Sequence, residues 1–268
     1  MKSFNGKTAV VTGAGSGIGR ALVHALLAEG AQVAASDINP DALAETAAQA
    51  TGTLRTYHLD VADRDAIYAH AAQVEADFGR TDLVVNNAGV ALKGSVREMS
   101  DDDLRWVMDI DFWGVVHGSR AFLPALVAAR GHLVNVSSVF GFIGVPTQSA
   151  YNAAKFAVRG FTEALRQEMR LERTGVGVSC VHPGGIKTNI ARNARTSDPT
   201  EAADFSRSLD QVAITTPEAA AHTILTGVRR DRARILIGPD AYVIDALPRV
   251  FGSLYQPLIK AAVRRLSR

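Results

Sequence analysis

The segment TGAGSGIG, Thr12 to Gly19, restricts the possible folds of this chain more than any other feature. It follows a β-branched run, KTAVVTG, and precedes an alanine- and leucine-rich run typical of a helix. Glycines let the backbone turn tightly and approach a ligand, and a helix N-terminus attracts anions. The segment predicts a strand–turn–helix unit that holds a phosphate group. Its spacing, Gly13-x-x-x-Gly17-x-Gly19, differs from the commoner G-x-G-x-x-G, so a merely tight turn stays open as an alternative.

Short β-branched runs and long helical runs alternate along the rest of the chain. The strand-like runs are bounded by glycine or aspartate, and a helical pattern follows each. This repetition is typical of βαβ units and a parallel sheet. We predict one α/β domain of Rossmann type over residues 1–239, doubly wound, with about seven parallel strands in a three-layer αβα arrangement. Residues 240–268 are predicted to form a C-terminal helical appendage.

Composition narrows the classes of partner. The 268 residues are 47% hydrophobic, which is enough for a sizeable core, and the net charge of +2 gives no reason to expect nucleic acid. The single cysteine, Cys180, and the scattered histidines predict no disulfide and no metal site. No apolar run approaches the roughly 18–20 residues that span a bilayer, and the N-terminus has no signal-peptide pattern. We therefore expect a cytoplasmic protein.

An acidic residue after the second predicted strand indicates which dinucleotide the turn would hold. Asp37 lies about 18 positions after Gly19 and ends the run QVAAS. A carboxylate there can accept hydrogen bonds from an adenosine ribose and would repel a 2′-phosphate. Ser16 and Ile38, which could offset that repulsion, are not basic. The sequence favours NAD(H) over NADP(H), and the alternative is that Asp37 only begins a turn.

The motifs TGAGSGIG, NNAG, SS…YNAAK and PGGIKT occur in this order between about Lys7 and Pro239. With them the chain resembles the classical short-chain dehydrogenase/reductase family. The resemblance implies that the glycine turn holds the pyrophosphate and that Asp60 and Val61, the "DV" that ends the third predicted strand, flank the adenine. It also implies that NNAG supports the cofactor and the sheet, and that the Pro-Gly turn faces the nicotinamide. The cofactor-binding residues so implied are Gly13, Ser16, Gly17, Ile18, Gly19, Asp37, Asp60, Val61, Asn87, Ala88, Gly89, Tyr151, Lys155, Pro183, Gly184, Ile186 and Thr188.

Tyr151 and Lys155 form the candidate reaction centre. They are one helical turn apart, so both side chains lie on one face. Hydride transfer to a carbonyl needs a matched proton at the oxygen, and a neighbouring ammonium lowers the phenol pKa from its ordinary value near 10. A hydroxyl at the end of the fifth strand can bond the reacting oxygen. Ser137 and Ser138 compete for that role, and the spacing found in the family selects Ser138.

One position departs from the family pattern. The run DIDFWG carries Asp111 where the family has an asparagine, three residues before Gly114. In the family this residue kinks the helix and supports a water in a proton relay that reaches the lysine. A carboxylate lacks the amide's donor and adds negative charge near Lys155. We expect the relay to survive through the backbone and count Asp111 among the catalytic residues.

Two loops indicate the kind of substrate. The run VFGFIGVPTQ, between Ser138 and Tyr151, is apolar and aromatic, which predicts one wall of the site and an alcohol or ketone with an apolar body. Residues 189–216 are polar and long enough to be an active-site lid. Arg192 and Arg195 in this segment are interpreted as a solvated face, with contact to an acidic substrate as the alternative.

The C-terminal run carries an apolar stripe at helical spacing and a basic face. The stripe comprises Leu258, Ile259, Ala262, Val263 and Leu266, and the basic face Lys260, Arg264, Arg265 and Arg268. We favour a helix that packs on the body or on a neighbouring subunit over one that contacts a membrane surface.

Taken together, the motifs predict an NAD(H)-dependent oxidoreductase that interconverts a secondary alcohol and a ketone, with no metal. A protein of the same fold that senses NAD without turnover is the alternative. The resemblance also implies a homodimer or homotetramer built through the two long helices near 101–130 and after Ser149.

Overall fold

The computed structural model describes residues 1–190, 192–198, 200, 207 and 212–266. Part of the predicted lid, residues 191, 199, 201–206 and 208–211, lies outside the described residues. Among the residues described, no helix is both long and apolar enough to cross a membrane.

A seven-stranded parallel sheet forms the centre of the fold, in the order β3-β2-β1-β4-β5-β6-β7. Every neighbouring pair is parallel, with Val10 of β1 opposite Ala34 of β2 and Val84 of β4. The strand order reverses between β1 and β4, and this switch point opens a crevice at the carboxyl edge. The strands are β1 Thr8–Thr12, β2 Gln32–Asp37, β3 Leu54–His58, β4 Leu83–Asn86, β5 His132–Val136, β6 Gly177–Pro183 and β7 Arg234–Ile237.

Helices connect the strands and extend past the last one. They are α1 Gly17–Ala28, α2 Pro40–Ala48, α3 Arg64–Phe78, α4 Asp101–Met108, α5 Gly114–Ala129, α6 Ser149–Leu171, α7 Pro217–Arg229, α8 Pro239–Phe251 and α9 Tyr255–Leu266. The sequence sets several of their starts. Asn39, Asp63 and Ser100 each accept a backbone N–H of the first turn, as N-cap side chains do.

The two faces of the sheet are covered by separate hydrophobic cores. On one face Leu22 and Leu26 of α1 and Ile224 of α7 pack with β1, β2 and β7. On the other, Phe122 of α5 and Leu165 of α6 pack with residues of β1, β4 and β5. Because helices cover both faces of the sheet, β1 and β4 are buried throughout. Strands buried in this way have nearly continuous apolar sequences. The predicted three-layer αβα fold of Rossmann type is confirmed.

Two local features differ from the sequence reading. The long helical region near 101–130 is interrupted by a π-helical turn, Asp109–Trp113, which carries Asp111 inward to complete burial. The third strand ends at His58, so Asp60 and Val61 follow it instead of ending it. Both differences leave these residues at the carboxyl edge of the sheet.

The C-terminal segment returns to the body of the domain. Helix α8 begins at Pro239, and Ala241 in its first turn is fully buried. After a short 3₁₀ turn, α9 places the Tyr255 hydroxyl where it accepts the Gly144 N–H at 2.9 Å. Gly144 belongs to the apolar loop between β5 and α6, so the tail and this loop are joined.

Candidate active site

A cavity of about 1480 Å³ opens at the carboxyl edge of the sheet. It runs from the glycine turn, past the ends of β4, β5 and β6, to the C-terminal helix α9. Its lining includes every predicted site residue except Gly19 and Asp111. Those two lie directly behind the lining, as described below.

The glycine turn forms a tight cradle at one end of the cavity. Gly13 and Gly17 have φ values of +64° and +51°, which residues with a side chain rarely adopt. A Cβ on Gly13 would lie 2.8 Å from the Ala88 Cα, and one on Gly17 would lie 2.9 Å from the Thr188 Cγ2. A Cβ on Gly19 would lie 2.0 Å from the Gly13 carbonyl oxygen. The turn therefore fits a pyrophosphate approached by bare backbone at the start of α1.

Asp37 lies beside this cradle. Its Oδ2 accepts the Gly15 N–H at 2.8 Å and its Oδ1 accepts the Asn39 N–H at 2.9 Å. These bonds hold the carboxylate at the cavity wall, where further lone pairs can accept a ribose hydroxyl. This position is the one predicted for the adenosine end of a dinucleotide.

Arg20, which the sequence reasoning did not consider, also lines the adenosine end of the cavity. Its guanidinium pairs with Glu45 at 2.9 Å and donates to the carbonyls of Gly15 and Ala42. The position of Arg20 directly after Gly19 could have marked it as a residue of this site. The direction of its side chain, however, depends on the packing of α2 against α1. A basic group is thus close to Asp37, and an acidic partner already neutralises it.

The segment after β4 supports the turn. The Asn87 side chain donates to the carbonyls of Thr12 and Gly13, and the Thr12 hydroxyl accepts the N–H groups of Asn87 and Ala88 at 3.0 Å. Asn86 points the other way, where its amide donates to Asn135 at 2.8 Å inside the sheet. The predicted division between cofactor support and sheet support therefore falls between two adjacent asparagines.

The turn after β6 lies across the cavity from this segment. Pro183, Gly184, Ile186 and Thr188 all line the cavity, where the family pattern puts the nicotinamide. The Gly184 N–H donates to Ile237 and the Gly185 N–H donates to Asp240 at 2.7 Å, so β7 and α8 fix the turn.

Ser138, Tyr151 and Lys155 meet between the two ends of the cavity. Ser138 follows β5, and its hydroxyl lies near enough to the Tyr151 phenol to lower the pKa of that phenol. The Lys155 Nζ lies 5.5 Å from the centre of the Tyr151 ring. Ser137 turns its hydroxyl to the Lys155 carbonyl at 2.8 Å, away from the phenol. Of the two serines, Ser138 is the one placed to contact a reacting oxygen.

Asp111 stands directly behind Lys155. Its Oδ2 lies 3.2 Å from the Lys155 Nζ, its Oδ1 accepts the Val90 N–H at 2.8 Å, and its side chain is wholly buried. Lys155 is also almost completely buried. A Cβ on Gly89 would lie within 3.3 Å of both charged groups, so Gly89 leaves the space that the pair occupies. Asp111 is thus a direct partner of the lysine, a closer contact than the sequence predicted.

These charges set the proton affinity of the phenol. Burial raises the pKa of Tyr151. The positive charge of Lys155 and the Ser138 hydroxyl lower this pKa, whereas the negative charge of Asp111 raises it, and the net pKa lies above its ordinary value. Lys155 acts in the predicted direction but is outweighed here. Burial lowers the pKa of Lys155, yet Asp111 and Tyr151 outweigh burial and raise it, so the lysine stays an ammonium.

The apolar loop after β5 forms one wall of the cavity, as predicted, but not with all its aromatic residues. Phe140 and Ile143 line the cavity, and Phe140 packs edge-on against Tyr151. Phe142 is instead buried, stacked on His182 at 4.1 Å and flanked by Arg159 and Arg234. Phe142 therefore anchors the loop and leaves the wall to its neighbours.

Another part of the wall comes from the C-terminal segment, which the sequence placed on the body or on a neighbouring subunit. Ile244 of α8 and Ile259, Ala262 and Val263 of α9 line the cavity. Arg195 lies elsewhere, stacked 3.8 Å over the Trp106 ring and 3.5 Å from Asp103. The stretch of wall formed by the apolar loop and the C-terminal helices is thus apolar, while Lys93, Asn193 and Arg207 also line the cavity.

A doubly wound sheet with a glycine cradle and a Ser-Tyr-Lys group at its switch point defines a dinucleotide-binding protein equipped for redox chemistry. A profile described as short chain dehydrogenase matches residues 7–199. The chain belongs to the short-chain dehydrogenase/reductase family and is an oxidoreductase of that family.

Relatives match along nearly the whole chain. SadH of Mycobacterium tuberculosis, named as an oxidoreductase, is 52% identical over 270 residues, which cover 99% of this chain and 98% of SadH. A short-chain dehydrogenase/reductase from Burkholderia phymatum, solved in complex with NAD, superposes with a TM-score of 0.87 at 31% identity, over 95% of this chain and 96% of that one. Levodione reductase gives a TM-score of 0.79 at 25% identity, over 91% and 99%.

Proposed function

We propose that this protein is an NAD(H)-dependent oxidoreductase that interconverts a secondary alcohol and a ketone with an apolar body. The observation that carries the proposal is the meeting of Ser138, Tyr151 and Lys155 in the cavity that also contains the glycine cradle. Bound NAD would supply the hydride acceptor or donor at the turn after β6. A solved relative named as a reductase and another solved with NAD support the same assignment.

The residues of the chain would supply the proton and hold the oxygen. In ketone reduction Tyr151 donates its phenolic proton to the carbonyl oxygen as the hydride reaches the carbonyl carbon, and in oxidation the phenolate accepts that proton. Ser138 donates a hydrogen bond to the oxygen as it gains negative charge. Lys155 stabilises the phenolate, and Asp111 holds Lys155 in place and in its charged form. Asp111 does not reach the cavity lining, so we assign it a positioning role.

The substrate class follows from the apolar stretch of the cavity wall. The apolar loop supplies Ile143 and Val145, and the C-terminal segment faces it with Ile244, Ile259 and Val263. A screen of secondary alcohols with NAD, following the absorbance of reduced nicotinamide, tests the proposal. Turnover should increase with the apolar bulk of the alcohol. Binding of NADH without turnover of any alcohol or ketone would favour the sensing alternative.

We extend the proposal to assembly as a dimer or tetramer through α4, α5 and α6. Trp113 ends the π-helical turn between α4 and α5 and is 45% exposed, and Phe156 of α6 is 42% exposed. Large aromatic side chains left at a surface are typical of protein–protein interfaces.

Asp37→Ser should weaken NADH binding about 10- to 100-fold, because the ribose loses hydrogen bonds to a charged acceptor. It should also improve NADPH binding, because the carboxylate no longer repels a 2′-phosphate and Arg20 lies nearby. Isothermal titration with both cofactors measures the two effects. Asp41→Asn, which removes an exposed carboxylate outside the cavity lining, is the matched control. Tight NADPH binding by the unchanged protein would refute the assignment of Asp37.

Asp111→Asn should shift the rise of alcohol oxidation to lower pH. The Asp111 charge raises the pKa of Tyr151, so its removal lowers that pKa and allows the phenolate to form at lower pH. The profile of kcat/KM against pH measures the shift. Asp109→Asn removes an exposed carboxylate from the same π-helical turn and should leave the profile in place. A profile that stays put or moves to higher pH in Asp111→Asn would contradict the role given to this pair.

A further inference from the structure

Helix α9 has one side turned toward the cavity. Ile259, Ala262 and Val263 line the cavity on that side, and the Tyr255 hydroxyl accepts the Gly144 N–H. The helix is therefore both a wall of the cavity and a neighbour of the apolar loop. This packing uses only part of the apolar surface that the C-terminal segment carries.

A second apolar strip of the C-terminal segment faces solvent. Val250 is 72% exposed, Phe251 48%, Leu254 71% and Leu258 54%. Leu254 and Leu258 are one helical turn apart, so they lie on the same side. Four large apolar side chains exposed within nine residues exceed the scattered single exposures that need no explanation. We call residues 250–258 the exposed strip.

Beyond Asp245, the charged residues of the C-terminal sequence all have one sign. The last acidic residue of the chain is Asp245, and five basic residues follow it: Arg249, Lys260, Arg264, Arg265 and Arg268. Asp245 is itself occupied, because Arg234 contacts it at 2.8 Å and Arg249 at 3.0 Å. Lys260 and Arg264 are exposed and one turn apart on α9. Beyond Asp245 the C-terminal sequence therefore has basic residues and no acidic one, and Lys260 and Arg264 present two of these charges beside the strip.

We propose that the exposed strip and the basic side of α9 dock on an anionic lipid surface. Helices that lie in a membrane interface combine Phe and Leu on one side with Lys and Arg on another, as this segment does. Anionic headgroups attract such a basic cluster close to the surface.

A second copy of this chain is the less suitable occupant. A two-fold contact through the exposed strip places the same patch of each copy against the other, so the two basic clusters meet. Like charges brought together at an interface oppose association. An anionic surface relieves the same repulsion, which is why the lipid surface is the better match.

Docking in this way places the lipid surface next to the apolar stretch of the cavity wall, since the same helix borders both. An apolar substrate of the proposed reaction would then pass from lipid to cavity along α9. This consequence rests on the proposed function, whereas lipid binding itself does not, so the two can fail separately.

Flotation of the full-length protein with vesicles tests the proposal. The protein should float with phosphatidylcholine vesicles that contain phosphatidylglycerol, stay in solution with phosphatidylcholine alone, and dissociate as salt is raised. Leu254→Ser/Leu258→Ser and Lys260→Glu/Arg264→Glu should each reduce the floated fraction at least about fivefold. Circular dichroism and NADH binding of both variants, which change only exposed side chains, should match the parent.

Two control variants change exposed residues of the same types elsewhere. Leu171→Ser removes a leucine that is 82% exposed at the end of α6, and Arg230→Glu/Arg232→Glu reverses two exposed charges after α7. Both should float like the parent. Failure of the parent to float with anionic vesicles would overturn the proposal. So would equal flotation of the α9 variants, or a concentration-dependent dimer that Leu254→Ser/Leu258→Ser abolishes.

Discussion

Tyr151→Phe is expected to lower kcat by about 10²- to 10⁴-fold while NADH affinity changes little, because general acid–base catalysis contributes on this scale. The phenol is the group placed to exchange a proton with the reacting oxygen, and the nearby Ser138 hydroxyl lowers the pKa of that phenol. Phenylalanine keeps the ring that packs against Phe140, so the wall of the cavity is preserved. The loss should therefore fall on the chemical step.

Steady-state kinetics and a titration with NADH separate the two quantities. Tyr57→Phe is the matched control. Tyr57 lies on β3, away from the cavity lining, and its hydroxyl is bonded to Asp77 of α3. Its kcat should equal that of the parent. If Tyr151→Phe kept more than about a tenth of the parental kcat, the proton would have to come from another group, and the proposed mechanism would be wrong.

The fold could be predicted from the sequence because its information is local. The strands of a parallel sheet are buried on both faces, so runs such as LVVN of β4 stand out against the helical pattern on either side. The glycine turn could be located for a related reason. Gly13 and Gly17 occupy backbone conformations and contacts that exclude a side chain, and such positions are marked by the residue type itself.

Contacts between distant segments were the part that sequence patterns missed. The direct pair of Asp111 and Lys155 joins residues 44 positions apart (155 − 111), and its distance depends on the π-helical turn Asp109–Trp113. Hydrophobic periodicity cannot reveal one extra residue in a turn. Likewise, the side that α9 presents to the cavity depends on how the chain leaves α8 after Phe251, where Gly252 has φ +53°.

Phe142 shows the same limit within a single loop. Composition marks the loop as apolar, which is correct, but not which aromatic side chain faces the cavity. The two cations beside Phe142 come from α6 and β7, and His182 beneath it comes from β6. Only the assembled sheet brings these three elements to one ring.

The buried pair behind the phenol carries the second large effect. Lys155→Met should cost about 3–5 kcal/mol in the free energy of unfolding, because it leaves a buried carboxylate without its cation. Lys155→Met/Asp111→Asn should recover most of that loss, although both variants are expected to be inactive. Asparagine keeps the oxygen that accepts the Val90 N–H, so the double variant removes the charge and retains the hydrogen bond.

Urea unfolding of the parent, both single variants and the double variant completes a thermodynamic cycle. A strong coupling is expected, with the double variant more stable than Lys155→Met alone, because two opposite charges removed together leave nothing unpaired. If Lys155→Met only damaged the packing, that damage would persist in the double variant. Equal stability losses in Lys155→Met and in the double variant would therefore show that Asp111 is not held as a charge partner of Lys155. The matched pair Lys7→Met and Lys7→Met/Asp82→Asn has a partly exposed lysine, and a second cation, Arg80, contacts the same carboxylate. Its single variant should lose less stability, because Asp82 retains the cation of Arg80.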